Sequence, residues 1–107
     1  EARLSQVRHN LISNAINQGQ PGTVITVSAA RQARHGRVAV RNIGTTIPPD
    51  ELGQIWERFH QAGGRPLGTG LGLAIVKTIL EQHQVNFGVQ SDQGVTVFWF
   101  DAPVADL

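Results

Sequence analysis

The sequence predicts an α+β fold, a two-layer α/β sandwich in which a mixed sheet carries its helices on one face. Three observations lead there. Apolar residues recur at helical spacing near the start of the chain and again past its middle. After each of these stretches comes a pair of short segments rich in β-branched or aromatic residues, divided by turn residues. The resulting order of helix, hairpin, helix, hairpin lacks the βαβ alternation that builds a parallel sheet. A chain of 107 residues is then one domain, 1–107, large enough to bury a single core.

Each element has its own signal. Leu4, Val7, Leu11 and Ala15, with Ile12 and Ile16 beside them, predict a helix over 2–18. Gly19-Gln20-Pro21-Gly22 ends it, and residues 23–28 read as a strand because Thr and Val are concentrated there. A turn at 34–36 leads into a second strand, 37–42, whose alternation puts Val38, Val40 and Asn42 on one face. An amide on that face must find a partner or cost roughly a few kcal/mol. Pro48 and Pro49 introduce a short helix carrying Leu52, Ile55, Trp56 and Phe59. Residues 60–67 have no periodicity and read as a mobile loop. A helix over 69–83 has Leu71, Ala74, Ile75 and Ile79 on one side, with Leu73, Val76 and Leu80 adjacent. Strands at 85–90 and 95–100, joined by Ser91-Asp92-Gln93-Gly94, close the chain.

Composition narrows the function. A net charge of +1 with scattered Lys and Arg gives no basic stripe, which argues against nucleic acid as a partner. The absence of cysteine removes disulfide, thiolate-metal and thiol chemistry. No apolar run approaches the ~20 residues that span a bilayer, so a soluble segment without direct membrane contact is expected. The chain opens inside a helix with no cap of its own, which suggests a fragment of a longer protein.

Two features point to chemistry. Gly68-Thr69-Gly70-Leu71-Gly72 opens a helix, where glycines let the backbone approach phosphate oxygens and free N–H groups meet them. It is neither a Walker loop nor a dinucleotide fingerprint, because no Gly-Lys-Ser/Thr follows and no strand leads straight into it. Asn10, Asn14 and Asn17 share one face of the first helix, beside its apolar stripe. Taken alone, three amides on a helix read as a solvated surface, but asparagine is a poor helix former, and a metal or phosphate site would explain its repetition.

Together these segments resemble the catalytic, ATP-binding domain of sensor histidine kinases, of the Bergerat fold. Asn10-Leu11-Ile12-Ser13-Asn14-Ala15 is similar to that family's asparagine box, and Asn42-Ile43-Gly44-Thr45-Thr46-Ile47-Pro48 to its first glycine box. Ile55-Trp56-Glu57-Arg58-Phe59 resembles its phenylalanine box, and the run from Gly68 through Leu73 to Lys77 its second glycine box. The boxes stand in the family's order, and the similarity extends to the closing strand around Thr96. The resemblance implies that ATP and Mg2+ are bound, with Asn10 and Asn14 as the catalytic pair and Asn14 as the metal ligand. It implies further that Asn42 accepts from the adenine amine, with Gly44, Ile47 and Thr96 beside it. Gly68, Gly70, Leu71, Gly72 and Leu73 would shape the phosphate end, under a short lid formed by residues 60–67.

The resemblance also implies an activity and its partners. The γ-phosphoryl group would pass to a histidine on a dimerisation domain and then to a response regulator, in the cytoplasm, whether or not the parent protein is a membrane sensor. His9, His35, His60 and His83 do not stand in the family's phosphoacceptor context and read as surface residues. Where related ATPases carry a glutamate to activate water, this chain has Asn10, and an amide is no general base, so hydrolysis is disfavoured. Other positions depart from the family pattern. Asn42 replaces an aspartate, Thr46 a glycine, Asn17 a lysine, Gln18 an aromatic residue and Gln61 an arginine, which removes two positive charges that Lys77 or Arg65 would have to replace. Two alternatives follow: a degenerate, non-catalytic interaction module of the same fold, and a serine kinase of the anti-sigma type. The strand and helix that precede the asparagine box in the family are missing, and the sheet edge left uncovered would invite a homodimer.

Overall fold

A computed structural model describes residues 2–57, 61–62, 65–66 and 72–103. The chain runs through α1 (Ala2–Gln18), β1 (Thr26–Gln32), β2 (His35–Ile43), β3 (Gln61–Ala62), β4 (Arg65–Pro66), α2 (Gly72–Gln82), β5 (Phe87–Asp92) and β6 (Val95–Pro103). Four strands form one sheet in the order β1-β2-β6-β5, and the two short strands β3 and β4 pair with each other. Every neighbouring pair is antiparallel. The parallel pairing of a mixed sheet is therefore not found among the described strands, because two hairpins lie edge to edge with β2 and β6 running in opposite directions.

The hairpins differ from expectation at their turns. β1 starts later than residue 23, because Thr23 still belongs to a turn closed by its N–H to Gln20 O at 3.1 Å. The turn that follows centres on Ala33 and Arg34, with Ala33 at φ 53°, so His35 and Gly36 lie in the ladder opposite Gln32 and Arg31. A non-glycine residue in the left-handed region gives no sequence cue. In the closing hairpin, Gln93 at φ 49° and Gly94 at φ 79° make the primed turn that suits strand twist, and Ser91 and Asp92 join β5.

The proline-led segment is not a helix. Its bonds are mostly those of successive turns, Glu51 N to Pro48 O at 2.9 Å, Gln54 N to Glu51 O at 2.9 Å and Glu57 N to Gln54 O at 3.0 Å. The two prolines lack N–H groups and Gly53 adds backbone freedom, so regular helix does not propagate. Ile55 nonetheless reaches the core, and Trp56 sets its ring edge-on to Phe87 at 5.2 Å and Phe98 at 5.5 Å. Phe59 lies outside the described residues.

The core forms between the helices and one sheet face. Leu4, Val7, Leu11 and Ala15 of α1 and Leu73, Val76, Ile79 and Leu80 of α2 meet Val38, Val40, Phe98, Phe100 and Ala102. Burying each phenylalanine contributes about 1.5–3 kcal/mol. The buried stripe of α2 is thus narrower than its apolar content suggests, and Ile75 is 38% exposed. The helices are tied to each other by Arg3, which donates to the side-chain oxygen of Gln82. Among the described residues no helix is long and apolar enough to cross a membrane.

The opposite face of the sheet carries a paired polar cluster. Arg37 grips Asp101 through two bonds, 2.8 and 3.2 Å, and its guanidinium stands 3.9 Å over the Trp99 ring. The hydrogen bond to Asp101 is the main cause that raises the pKa of Arg37. Trp99 in turn lies against Gly88, where a Cβ would come within 2.9 Å of the indole.

Candidate nucleotide-binding site

The end of α1 is stitched to the end of β2 by backbone alone. Gly19 and Gly44 form a β-bridge, and Gln20 N donates to Ile43 O at 2.7 Å. A Cβ on Gly44 would lie 2.5 Å from the carbonyl oxygen of Gln18, so only glycine permits this approach. The loop after β2 is held from the other side by the closing hairpin. Gly44 N donates to Gly94 O at 2.8 Å, Gly94 N donates to Thr46 Oγ1 at 2.6 Å, and Ile47 N donates to Ser91 Oγ at 2.8 Å.

Under this junction the polar side chains gather. Asn42, at the end of the buried row Val38, Val40, Asn42, is 2% exposed, and its partner on the next strand is Thr96, 4% exposed. Asn42 Cβ lies 3.9 Å from where a Cβ on Gly19 would be, which puts it against the end of α1. Thr96 Oγ1 is 2.8 Å from Ser91 Oγ. Asn14 is 7% exposed and lies within the buried side of α1 rather than beside it. Neither amide atom of Asn14 has a hydrogen-bond partner, nor has Oδ1 of Asn42. Three unpaired atoms on two buried amides are unusual, since each orphaned group costs about 1–3 kcal/mol.

The remaining expected residues are distributed as follows. Asn10 is half-buried, and its Nδ2 reaches Gly72 O, the first residue of α2, at 3.5 Å. Asn17 is exposed. The three asparagines of α1 therefore grade from open to buried rather than forming one uniform polar face. Ile47 and Leu73 are both in the core, where their side chains pack. Gly68, Gly70 and Leu71 lie outside the described residues, as does half of the expected lid; β3 and β4 supply its described backbone. Lys77 is half-buried on α2. His9 and His35 are exposed, and Nδ1 of His83 lies 2.8 Å from Ile79 O.

Sequence reasoning missed Thr46 as an anchor, Ser91 and Gly94. Thr46 reads as the loss of a glycine, yet its hydroxyl receives the Gly94 N–H and fixes the loop to the hairpin. Ser91 sits directly across the ladder from Thr96. That rung becomes visible only when the strand is carried past residue 90. Beyond the Gly19–Gly44 bridge, a cleft of about 380 Å³ is lined by Gln18, Gln20, Pro21, Gly44 and Thr45. It shares Gly44 with the site but not the buried amides.

The chain has relatives among known proteins. Residues 1–106 match the family described as Histidine kinase-, DNA gyrase B-, and HSP90-like ATPase. The chain is 39% identical over 99 residues to the sensor protein IrlS of Burkholderia pseudomallei, covering 88% of this chain and 21% of that protein. It is 36% identical over 94 residues to sporulation kinase C of Bacillus subtilis, covering 88% and 22% respectively. The chain thus spans about a fifth of the length of these relatives. Among solved structures, the mycobacterial sensor histidine kinase MprB superposes with a TM-score of 0.83 at 28% identity, over 95% of this chain and 70% of that one. Full-length ShkA in complex with AMPPNP gives 0.75 at 33%, over 94% and 21%. Histidine kinase ThkA in complex with the response regulator protein TrrA gives 0.79 at 29%, over 95% and 28%. Fold, box order and relatives agree, and the chain belongs to the histidine kinase-, DNA gyrase B- and HSP90-like ATPase family, as an ATP-binding catalytic domain of the sensor histidine kinase type.

Proposed function

We propose that this domain binds ATP with Mg2+ between Asn14, Asn42 and the glycine-rich entry to α2, and that it transfers the γ-phosphoryl group to a histidine of a dimerisation domain. The observation that carries this reading is the pair of buried asparagines in which both amide atoms of Asn14 and Oδ1 of Asn42 lack partners. A carboxamide oxygen suits a hard divalent cation, and Asn14 would hold the ion through Oδ1. Bound there, Mg2+ would neutralise triphosphate charge as it develops. Asn42 would receive the base amine at Oδ1, with Thr96 beside it. Asn10, Gly68, Gly70, Leu71 and Gly72 would border the phosphates, and the backbones of Gly44, Ile47 and Leu73 would complete the wall.

Asn10 also supports transfer over hydrolysis. Its amide cannot take a proton from water, so the chain's own residues position and orient rather than supply a base. The acceptor histidine then belongs to a partner surface, and a response regulator receives the group next, as the solved ThkA complex with TrrA suggests by analogy. A cytoplasmic location fits those partners.

The test is a calorimetric titration of the folded chain with a non-hydrolysable ATP analogue, with and without Mg2+. Magnesium-dependent binding is expected, and Asn14→Ala should weaken it by about a hundredfold or more, as loss of a charge-bearing ligand contact of about 3 kcal/mol would. Unchanged affinity in that variant would overturn the site. A non-catalytic module is the second reading, favoured by the uncharged Asn17 and Gln18 at the end of α1. It predicts no heat with either nucleotide or ion.

A further inference from the structure

We propose that Asn42 and Thr96 make the base-binding end of this site indifferent to hydrogen-bonding polarity at purine C6, so that 6-oxopurine nucleotides bind alongside adenine nucleotides. The inference rests on the nucleotide reading above and assigns Asn42 the role of specificity determinant within it.

Asn42 is a carboxamide, with an acceptor at Oδ1 and two donors at Nδ2. It is 2% exposed, its Oδ1 is unpartnered, and no hydrogen bond among the described residues fixes which way the amide points. The terminal torsion of asparagine is broad and roughly two-fold, so a half-turn exchanges oxygen for nitrogen. Gly44 sets no side chain against that exchange, since the position its Cβ would take is 3.5 Å from Asn42 Nδ2.

Thr96 is equally reversible. Its hydroxyl is 2.8 Å from Ser91 Oγ, and either oxygen can be the donor. Ser91 Oγ already accepts the N–H of Ile47. If Ser91 gives its proton to Thr96, the Thr96 hydroxyl donates onward; if Thr96 donates to Ser91, a lone pair of Thr96 faces the site. The residues are paired across β2 and β6, on the buried face.

A 6-aminopurine offers a donor at C6 and an acceptor at N1. A 6-oxopurine offers the reverse, an acceptor at O6 and a donor at N1–H. Turning the Asn42 amide and the Thr96 hydroxyl together matches the pair in either polarity. A carboxylate at position 42 could only accept, and a buried site with fixed polarity rejects the wrong partner by about 10⁴-fold in favourable cases.

The experiment compares ADP with IDP, which differ only at C6 and N1, by calorimetric titration in Mg2+ on the whole chain and on Asn42→Asp. The wild-type chain should bind the two within about tenfold of each other, and Asn42→Asp should keep ADP while weakening IDP by more than about tenfold. Binding of ADP with IDP weaker by about a hundredfold or more in the wild type overturns this inference and leaves the nucleotide reading standing. So does an ADP-to-IDP ratio that Asn42→Asp leaves unchanged. Binding of neither diphosphate by the folded chain overturns both. Where a buried carboxylate prevents folding, as circular dichroism would show, the wild-type ratio decides alone.

Discussion

The two faces of the sheet treat polar groups in opposite ways. On the outer face Arg37 has two bonds to Asp101 and stacks on Trp99, although water is near enough to serve all three. On the inner side Asn42 of β2 and Asn14 of α1 are withdrawn from water, with Oδ1 of Asn42 and both amide atoms of Asn14 left without partners. Stability alone would favour the reverse, since pairing matters most where water is absent. The inner face also divides along its length. Its Phe98, Phe100 and Ala102 end is apolar and closed, whereas its Asn42 and Thr96 end keeps hydrogen-bonding capacity in reserve. Unpaired burial characterises the proposed binding end, and half-buried pairing the Arg37 cluster.

Truncation of the closed end gives the largest effect that this contrast predicts. Phe98 is 1% exposed and receives the edge of Trp56. Phe98→Ala should cost about 3–5 kcal/mol in urea unfolding, through lost burial and the cavity left between sheet and helices. A loss under about 1 kcal/mol would show that the apolar end is loosely packed, and the division between a closed and a binding end would lapse.

How far the sequence disclosed this division depends on which physics set each feature. The stripe Leu4, Val7, Leu11, Ala15 and the alternation Val38, Val40, Asn42 are periodic, and both lie in the core as expected. Backbone events were less legible. The positive φ of Ala33 moved a turn that glycine at position 36 had suggested, and repeated i to i+3 bonding replaced a helix after Pro49. Thr46 is the most instructive case. By itself it is a bulkier residue in a glycine loop, and only the fold brings the Gly94 N–H to its hydroxyl. Asn14 was legible as polar and helical, but its burial depends on how α1 rolls against the sheet, which periodicity fixes only to within a residue.

A smaller effect is expected at the binding end. Asn14→Ala removes an amide whose two polar atoms have no partner. The relief of about 1–3 kcal/mol in desolvation offsets the packing lost with the shortened side chain. Urea unfolding without nucleotide should therefore show stability unchanged or up to about 1 kcal/mol higher, in the same variant that loses magnesium-dependent binding. A destabilisation comparable to that of Phe98→Ala would mean that Asn14 is held by the fold and serves it.

The outer face should respond least of all. Arg37 is well paired, but its side chain is 38% and that of Asp101 15% exposed, and an ion pair that water can partly replace returns little. Its stacking on Trp99 adds a contact of the same half-buried kind. Arg37→Ala should leave the urea midpoint indistinguishable from the wild type and nucleotide titrations unaltered. Trp99 would keep its place over Gly88, where the missing Cβ makes room for the indole. A clear fall in the midpoint would reverse the contrast between the faces, because the paired polar groups would then hold the sheet together as firmly as the buried apolar ones.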